Sequence, residues 1–459
     1  MAAAAAAALR PEAALAWAGV AGAAFASACG FALAAARQAS RAAPPEVVVG
    51  RDEAWNAAVL ARCPRFREAY VPHALFALNE HVETVLPSFW RLFPHTHVTY
   101  ERQTVTNHAD GGTASLDWVA EGKALPPDAP LLFVLSGLGG GSGDAYVGHL
   151  MAEATHRGYR CVAFTCRGCD GEPLKTPQFY SASFTGDVRL AAAIATQAHP
   201  EASVAFAAGY SLGANILLKY CAEEGEAVPF DAAVSLCNPF DLDRSMQHIR
   251  KGFSAVYNRK LGASMAEKMR DNEVIFRQQA DTFGLANGGA SAPADVDGAL
   301  ASSSIYDFDE AITRRCFGFD SVKHYYDSSS SARALHKVTV PVLAINATDD
   351  PIADVGGAPR ETVANEMERC HLVLTPAGGH LGWVAACNGA AGRGASDGAA
   401  IGAPWTDCAV LDWLKAVELR LTQERLEEIR VTSEEEIRGL EQRHNGLGLQ
   451  QQQEVSTTA

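Results

Sequence analysis

The chain has 459 residues, more than one typical domain but within reach of a single α/β unit with insertions. Hydrophobic residues make up 48% of it, enough for a sizeable core. A formal net charge of -15 with no basic block to offset it excludes a nucleic-acid-binding surface, so no nucleic acid is expected as partner.

Ala13 to Ala36 carry no charge and include Leu15, Trp17, Val20, Phe25, Phe31 and Leu33. The stretch exceeds the roughly 20 residues that cross a hydrocarbon core, although alanine makes it only mildly apolar. It is read as a single-pass N-terminal membrane anchor, with a cleaved signal or transit peptide as the alternative. Arg10 before it and Arg37 and Arg41 after it do not fix an orientation. Residues 1–44 thus form an apolar segment and linker, and 45–418 one folded domain. The stretch from Asp52 to Arg102 reads as short helices and loops.

From Pro130 the pattern becomes periodic. The apolar runs "LLFVLSG", "YRCVAFTCRG", "SVAFAAGYS", "DAAVSLCNP" and "VPVLAINATDD" each end in small or polar residues. Helical patterns over Tyr146–Arg157, Asp187–Ala198 and Leu212–Glu223 lie between them. Such alternation predicts a mostly parallel sheet covered by helices on both faces, with chemistry at the carboxyl ends of the strands.

The first such end carries Gly137-Leu138-Gly139-Gly140-Gly141. A dinucleotide-binding loop is the alternative, but G-x-G-x-x-G is met only by Gly137, Gly139 and a serine at 142. No acidic partner follows the next strand, where "TCRGCDG" stands. The glycines instead suit an oxyanion site, with the backbone amides of Leu138 and Leu212 as donors. Among eleven cysteines the one C-x-x-C pair, Cys166 and Cys169, lacks the second pair or spaced histidines of a zinc site. No metal and no organic cofactor is expected.

At Gly209-Tyr210-Ser211-Leu212-Gly213 a strand pattern becomes a helix pattern within a corner that only small residues fit. A serine held there projects its hydroxyl beyond the sheet, at a helix N-terminus. Gly394-Ala395-Ser396-Asp397-Gly398 fits the same G-x-S-x-G pattern, but has no strand before it and no helix after it. Ser211 is therefore the candidate nucleophile.

A block from about 241 to 337 interrupts the alternation and reads as a helical lid inserted between two strands. Met246, Phe253, Met265 and Phe276 are expected at its entrance, and the low-complexity residues 286–304 as a mobile loop. Beyond it, Asp349 and Asp350 end a strand, and His380 follows the next one after two glycines. A serine needs a base and an orienting acid to attack at neutral pH, and Ser, Asp, His is the order this architecture uses. The tail, 419–459, reads as an acidic helix followed by a disordered end. No internal repeat is present.

Taken together these residues resemble the type-four branch of the AB hydrolase superfamily, from about Cys63 to Trp413. The blocks "CPRFREAYVPHALFALNEHVET", "DGGTASLDW", "CRGCDGEPLKTPQFY", "GYSLGANILLKY", "CNPFDL", "FDEAITRRCFGF", "INATDDPI" and "GGHLGW" stand in family order. That branch holds membrane-anchored monoacylglycerol lipases and phospholipases. The resemblance implies an α/β-hydrolase fold, Ser211 as nucleophile and His380 as base. The acid falls on the Asp pair, at Asp350 with Asp349 as alternative. Glu80 stands where a glycine is usual and Glu83 where a glutamine is usual. The expected function is cleavage of carboxylic esters of lipids at a membrane. Acyl transfer to an alcohol is the enzymatic alternative, and lipid binding without turnover the other.

Overall fold

The computed structural model describes residues 30, 33, 35–90, 98–286, 293–385 and 404–457. Of the segment Ala13–Ala36 only Gly30, Leu33, Ala35 and Ala36 fall among them, so the expected anchor lies outside the described residues. No helix of the described residues is long and apolar enough to cross a membrane.

Nine strands form one sheet: β1 (Glu46–Val49), β2 (Tyr100–Thr106), β3 (Thr113–Val119), β4 (Leu131–Leu135), β5 (Arg160–Thr165), β6 (Ala205–Tyr210), β7 (Ala232–Leu236), β8 (Val342–Ala347) and β9 (Cys370–Thr375). Their order is β1-β9-β8-β7-β6-β4-β5-β3-β2. The six from β5 to β9 across the centre are parallel, and β1, β2 and β3 run antiparallel to their neighbours at the margins. Every residue of β4, β5, β7, β8 and β9 is buried. Burial on both faces is why these strands read as unbroken apolar runs instead of alternating ones. Along β4, Leu132 and Val134 enter one core and Leu131, Phe133 and Leu135 the other, as the two-residue period of a strand requires.

The first core is closed by the helix Ala145–His156 and by Trp413 and Val417 of the C-terminal helix, the second by Gly186–Ala198 and Leu212–Glu224. These three strand-connecting helices match the predicted ones within a residue. β1 was not foreseen. It pairs Glu46 to Val49 with Leu374 to His371 at the far end of the chain, and four residues carry no period that would show it.

Between β7 and β8 the chain forms the helices Leu242–Ile249, Ala255–Ala286, Val296–Leu300, Ile305–Phe308 and Val322–Ser329, with a π-helical turn at Asp309–Thr313. They carry two small cores of their own. The expected loop 286–304 is in part a helix. Asp295 caps Val296–Leu300 by accepting the Gly298 N–H at 2.8 Å, and Val296 and Ala299 are buried. Residues 287–292 lie outside the described residues. The final helix is continuous from Trp405 to Thr457, through the glutamine run expected to be disordered. Glutamine is a good helix former, and no proline stands in the way.

Candidate active site

β6 ends at Tyr210, and Ser211 turns the chain with φ 51° and ψ -118° before the helix starts at Leu212. Serine has no ease in that region, so the surroundings must hold it. Its N–H donates to the Leu236 carbonyl at 2.7 Å. A Cβ on Gly209 would lie 2.7 Å from the Gly213 oxygen, and one on Gly213 would collide with the Ser136 carbonyl. Both glycines of the motif are thus set by close packing of helix on strand.

The Ser211 hydroxyl lies 3.0 Å from His380 Nε2, and His380 Nδ1 lies 2.7 Å from Asp350 Oδ2. His380 and Asp350 are both buried. The other Asp350 oxygen accepts the Ile352 and Ala353 N–H groups at 2.8 and 2.9 Å, which fixes the carboxylate plane. Of the two aspartates, then, Asp350 faces the imidazole. Asp349 turns the other way, accepting the Gly379 N–H at 3.0 Å and pairing with Arg41, and burial pushes its carboxyl above the usual range. The histidine loop is pinned at three further points. The His380 N–H donates to Thr84 Oγ1 at 2.9 Å, whose hydroxyl donates to the Glu80 carbonyl at 2.7 Å. Leu381 N–H donates to Cys237 Sγ at 3.3 Å. Gly379, at φ 55°, leaves no room for a Cβ, which would meet the Glu80 oxygen at 2.8 Å.

In the loop after β4, two tyrosine hydroxyls take up amides. Gly137 N–H donates to Tyr146 at 3.0 Å and Gly139 N–H to Tyr180 at 2.5 Å. Tyr146 in turn donates to Asp144 at 2.7 Å. The amide between them, Leu138, and that of Leu212 bond to no described residue, and both residues line the same cavity as Ser211 and His380. No sequence signal marks Thr84, Tyr146 or Tyr180 for these roles.

That cavity measures about 380 Å³. The insertion contributes much of its lining, the apolar Leu242, Met246, Ile249, Leu261, Met265 and Phe308 together with Ser245, Lys268, Asp309 and Thr313. Of the four residues expected at the entrance, Met246 and Met265 line the cavity. Phe276 does not, being packed against Phe179 in the insertion's own core, and Phe253 is exposed beside His81.

Cys166 and Cys169 are free thiols, and burial pushes both up, Cys169 to about 11. Neither is a reactive thiolate at neutral pH. Cys237, Asp350 and His380 bring three donor atoms within 4.8 Å of one another. Those atoms are committed, Asp350 to His380 and the sulfur to Leu381, so the trio is no assigned metal site. The second G-x-S-x-G, at Gly394–Gly398, lies outside the described residues.

A model of the alpha/beta hydrolase family matches residues 131–388. The embryogenesis-associated protein EMB8 of Picea glauca is 39% identical over 355 residues, covering 75% of this chain and 72% of its own. Phospholipase ABHD3 of Mus musculus is 31% identical over 352 residues, covering 75% and 80%. The monoacylglycerol lipase of Saccharomyces cerevisiae is 25% identical over 347 residues, covering 67% and 74%.

Proposed function

Given that this chain belongs to the alpha/beta hydrolase family, we propose that it is a serine esterase of lipid carboxylic esters, monoacylglycerols or related glycerolipids, working through Ser211, His380 and Asp350. The observation that carries the reading is the hydrogen-bonded chain Ser211–His380–Asp350 at the wall of an apolar cavity. A relative named phospholipase and another named monoacylglycerol lipase support the lipid class.

In the first step Ser211 Oγ bonds to the acyl carbon while His380 Nε2 takes its proton. Asp350 holds the Nδ1–H tautomer and stabilises the imidazolium. Charge moves to the carbonyl oxygen, which the Leu138 and Leu212 amides receive, each donor worth about 3 kcal/mol in such sites. The alcohol leaves with the proton from Nε2. Water, deprotonated by His380, then attacks the acyl-enzyme and releases the fatty acid. The Met246 and Met265 side of the cavity takes the acyl chain. An anchor at Ala13–Ala36 belongs to the same reading, holding the site at its substrate's surface.

The test is fluorophosphonate labelling of the full chain, competed by monoacylglycerol and by phospholipid, with products analysed in the presence of an alcohol. Labelling lost in Ser211→Ala and free fatty acid as product are expected. An ester product would turn the reading to acyl transfer, and binding without labelling to a lipid carrier.

A further inference from the structure

The residues that directly follow the N-terminal apolar stretch are built into the underside of the histidine loop. Gln38 Nε2 donates to the Pro72 carbonyl at 2.9 Å, and the Tyr70 N–H donates to the Ala43 carbonyl at 2.9 Å. Between these points Arg41 reaches inward. One of its nitrogens bonds Glu83 at 2.8 Å and also pairs with Asp349. Each of these carboxylates stands next to a support of His380. Asp349 accepts the Gly379 N–H, and Glu83 precedes Thr84, which accepts the His380 N–H. Tyr70 closes the cluster by donating to Glu83 at 2.7 Å.

We propose that Arg41 is a positioning residue for His380: by bridging Glu83 and Asp349 it holds both supports of the histidine loop, so that the segment joining apolar stretch to domain is part of the active site. The proposal rests on the serine-esterase reading. Arg41 is the cation that faces both acids. Glu83 is fully enclosed, facing Arg41, the Tyr70 hydroxyl, Asp349 and the Gly378 N–H, and Asp349 has Asp350 beside it. Burial pushes Glu83 up to about 7, against the downward pull of Tyr70 and Arg41. Without the guanidinium Glu83 ionises at a higher pH still, and toward the alkaline end two carboxylates beneath one loop repel, relaxing once one takes a proton.

The experiment measures kcat of the full chain on a short soluble ester from pH 6 to 8.5 for wild type, Arg41→Met, Arg41→Met/Glu83→Gln and Arg41→Lys. Folding is followed by thermal melts, and Ser211→Ala is included throughout. Relative to wild type at the same pH, Arg41→Met is expected to lose about tenfold or more at pH 8 and only about threefold at pH 6, with the double variant recovering most of the loss at pH 8. Wild-type behaviour of Arg41→Met overturns the proposal, as does a loss that is uniform in pH and not recovered by Glu83→Gln. If Arg41→Met does not fold, Arg41→Lys decides. Its ammonium keeps the charge but sits short of the one nitrogen that meets both acids, so the proposal expects reduced kcat with a weaker pH trend. Wild-type kcat there would confine Arg41 to folding and overturn positioning. Activity surviving in Ser211→Ala would instead defeat the esterase reading itself.

Discussion

Two aspartates adjacent in sequence are held by opposite partners, and this makes the acid separable by experiment. Asp350→Asn keeps an oxygen for the Ile352 and Ala353 amides but can set an NH2 against the imidazole, favouring the wrong tautomer. A loss of about ten-thousandfold in kcat is expected. Asp349→Asn keeps an acceptor for Gly379, and the expected loss is about tenfold at most. Ser211→Ala is expected to cost roughly a million-fold. All three are read as kcat on a soluble ester, and equal losses from the two aspartates would contradict the assignment. Ser211 and His380 were legible because glycines crowd around them for packing reasons that leave a motif. The choice of Asp350 within the pair came only with the family resemblance, since neighbours on a turn differ only in where each points. Thr84 was invisible, because a threonine in an amphipathic helix carries no mark of the distant amide it accepts.

Among the elements, the insertion lines much of the cavity and, on the proposed reading, sets which acyl chains fit. Met265 lines the cavity, so Met265→Trp takes up part of its volume. The expected result is a fall of about tenfold or more in kcat/KM for long-chain esters and little change for butyrate. The insertion is also tied back to the helix that follows Ser211. Asn215, buried, donates to the Ser329 carbonyl at 2.8 Å and accepts the Ser331 N–H at 2.8 Å. Asn215→Ala leaves both groups unpaired inside the protein, with an expected cost of about 2–3 kcal/mol, visible as a lower Tm. The parallel strands could be read because burial on both faces leaves continuous apolar runs. The helix Val296–Leu300 could not, because one turn capped by Asp295 shares its composition with a loop.

For the molecule as a whole, the enclosed Glu83 sets a pH dependence of stability. Its folded-state value of about 7 lies above the ordinary 4.5, so the folded chain binds more protons between those values and its stability falls as pH rises through them. In Glu83→Gln that loss is absent. The difference in Tm, variant minus wild type, is expected to grow as pH goes from 5 to 8. Removal of residues 1–36 is expected to reduce activity on vesicle lipid far more than on a soluble ester, as a lost tether lowers local concentration only. Equal loss on both would remove the anchor from the functional reading. The pairing of β1 with β9 carries a consequence for how this enzyme is made. Glu46 meets Leu374 across the sheet, so the strand synthesised near the start has no partner until almost the whole domain has left the ribosome. Contacts of such sequence separation form late. The supports of His380 come from both ends of that pairing, so a nascent or prematurely terminated chain has a serine but no working base. On the serine-esterase reading, synthesis thereby delays any ester cleavage until the polypeptide is nearly complete.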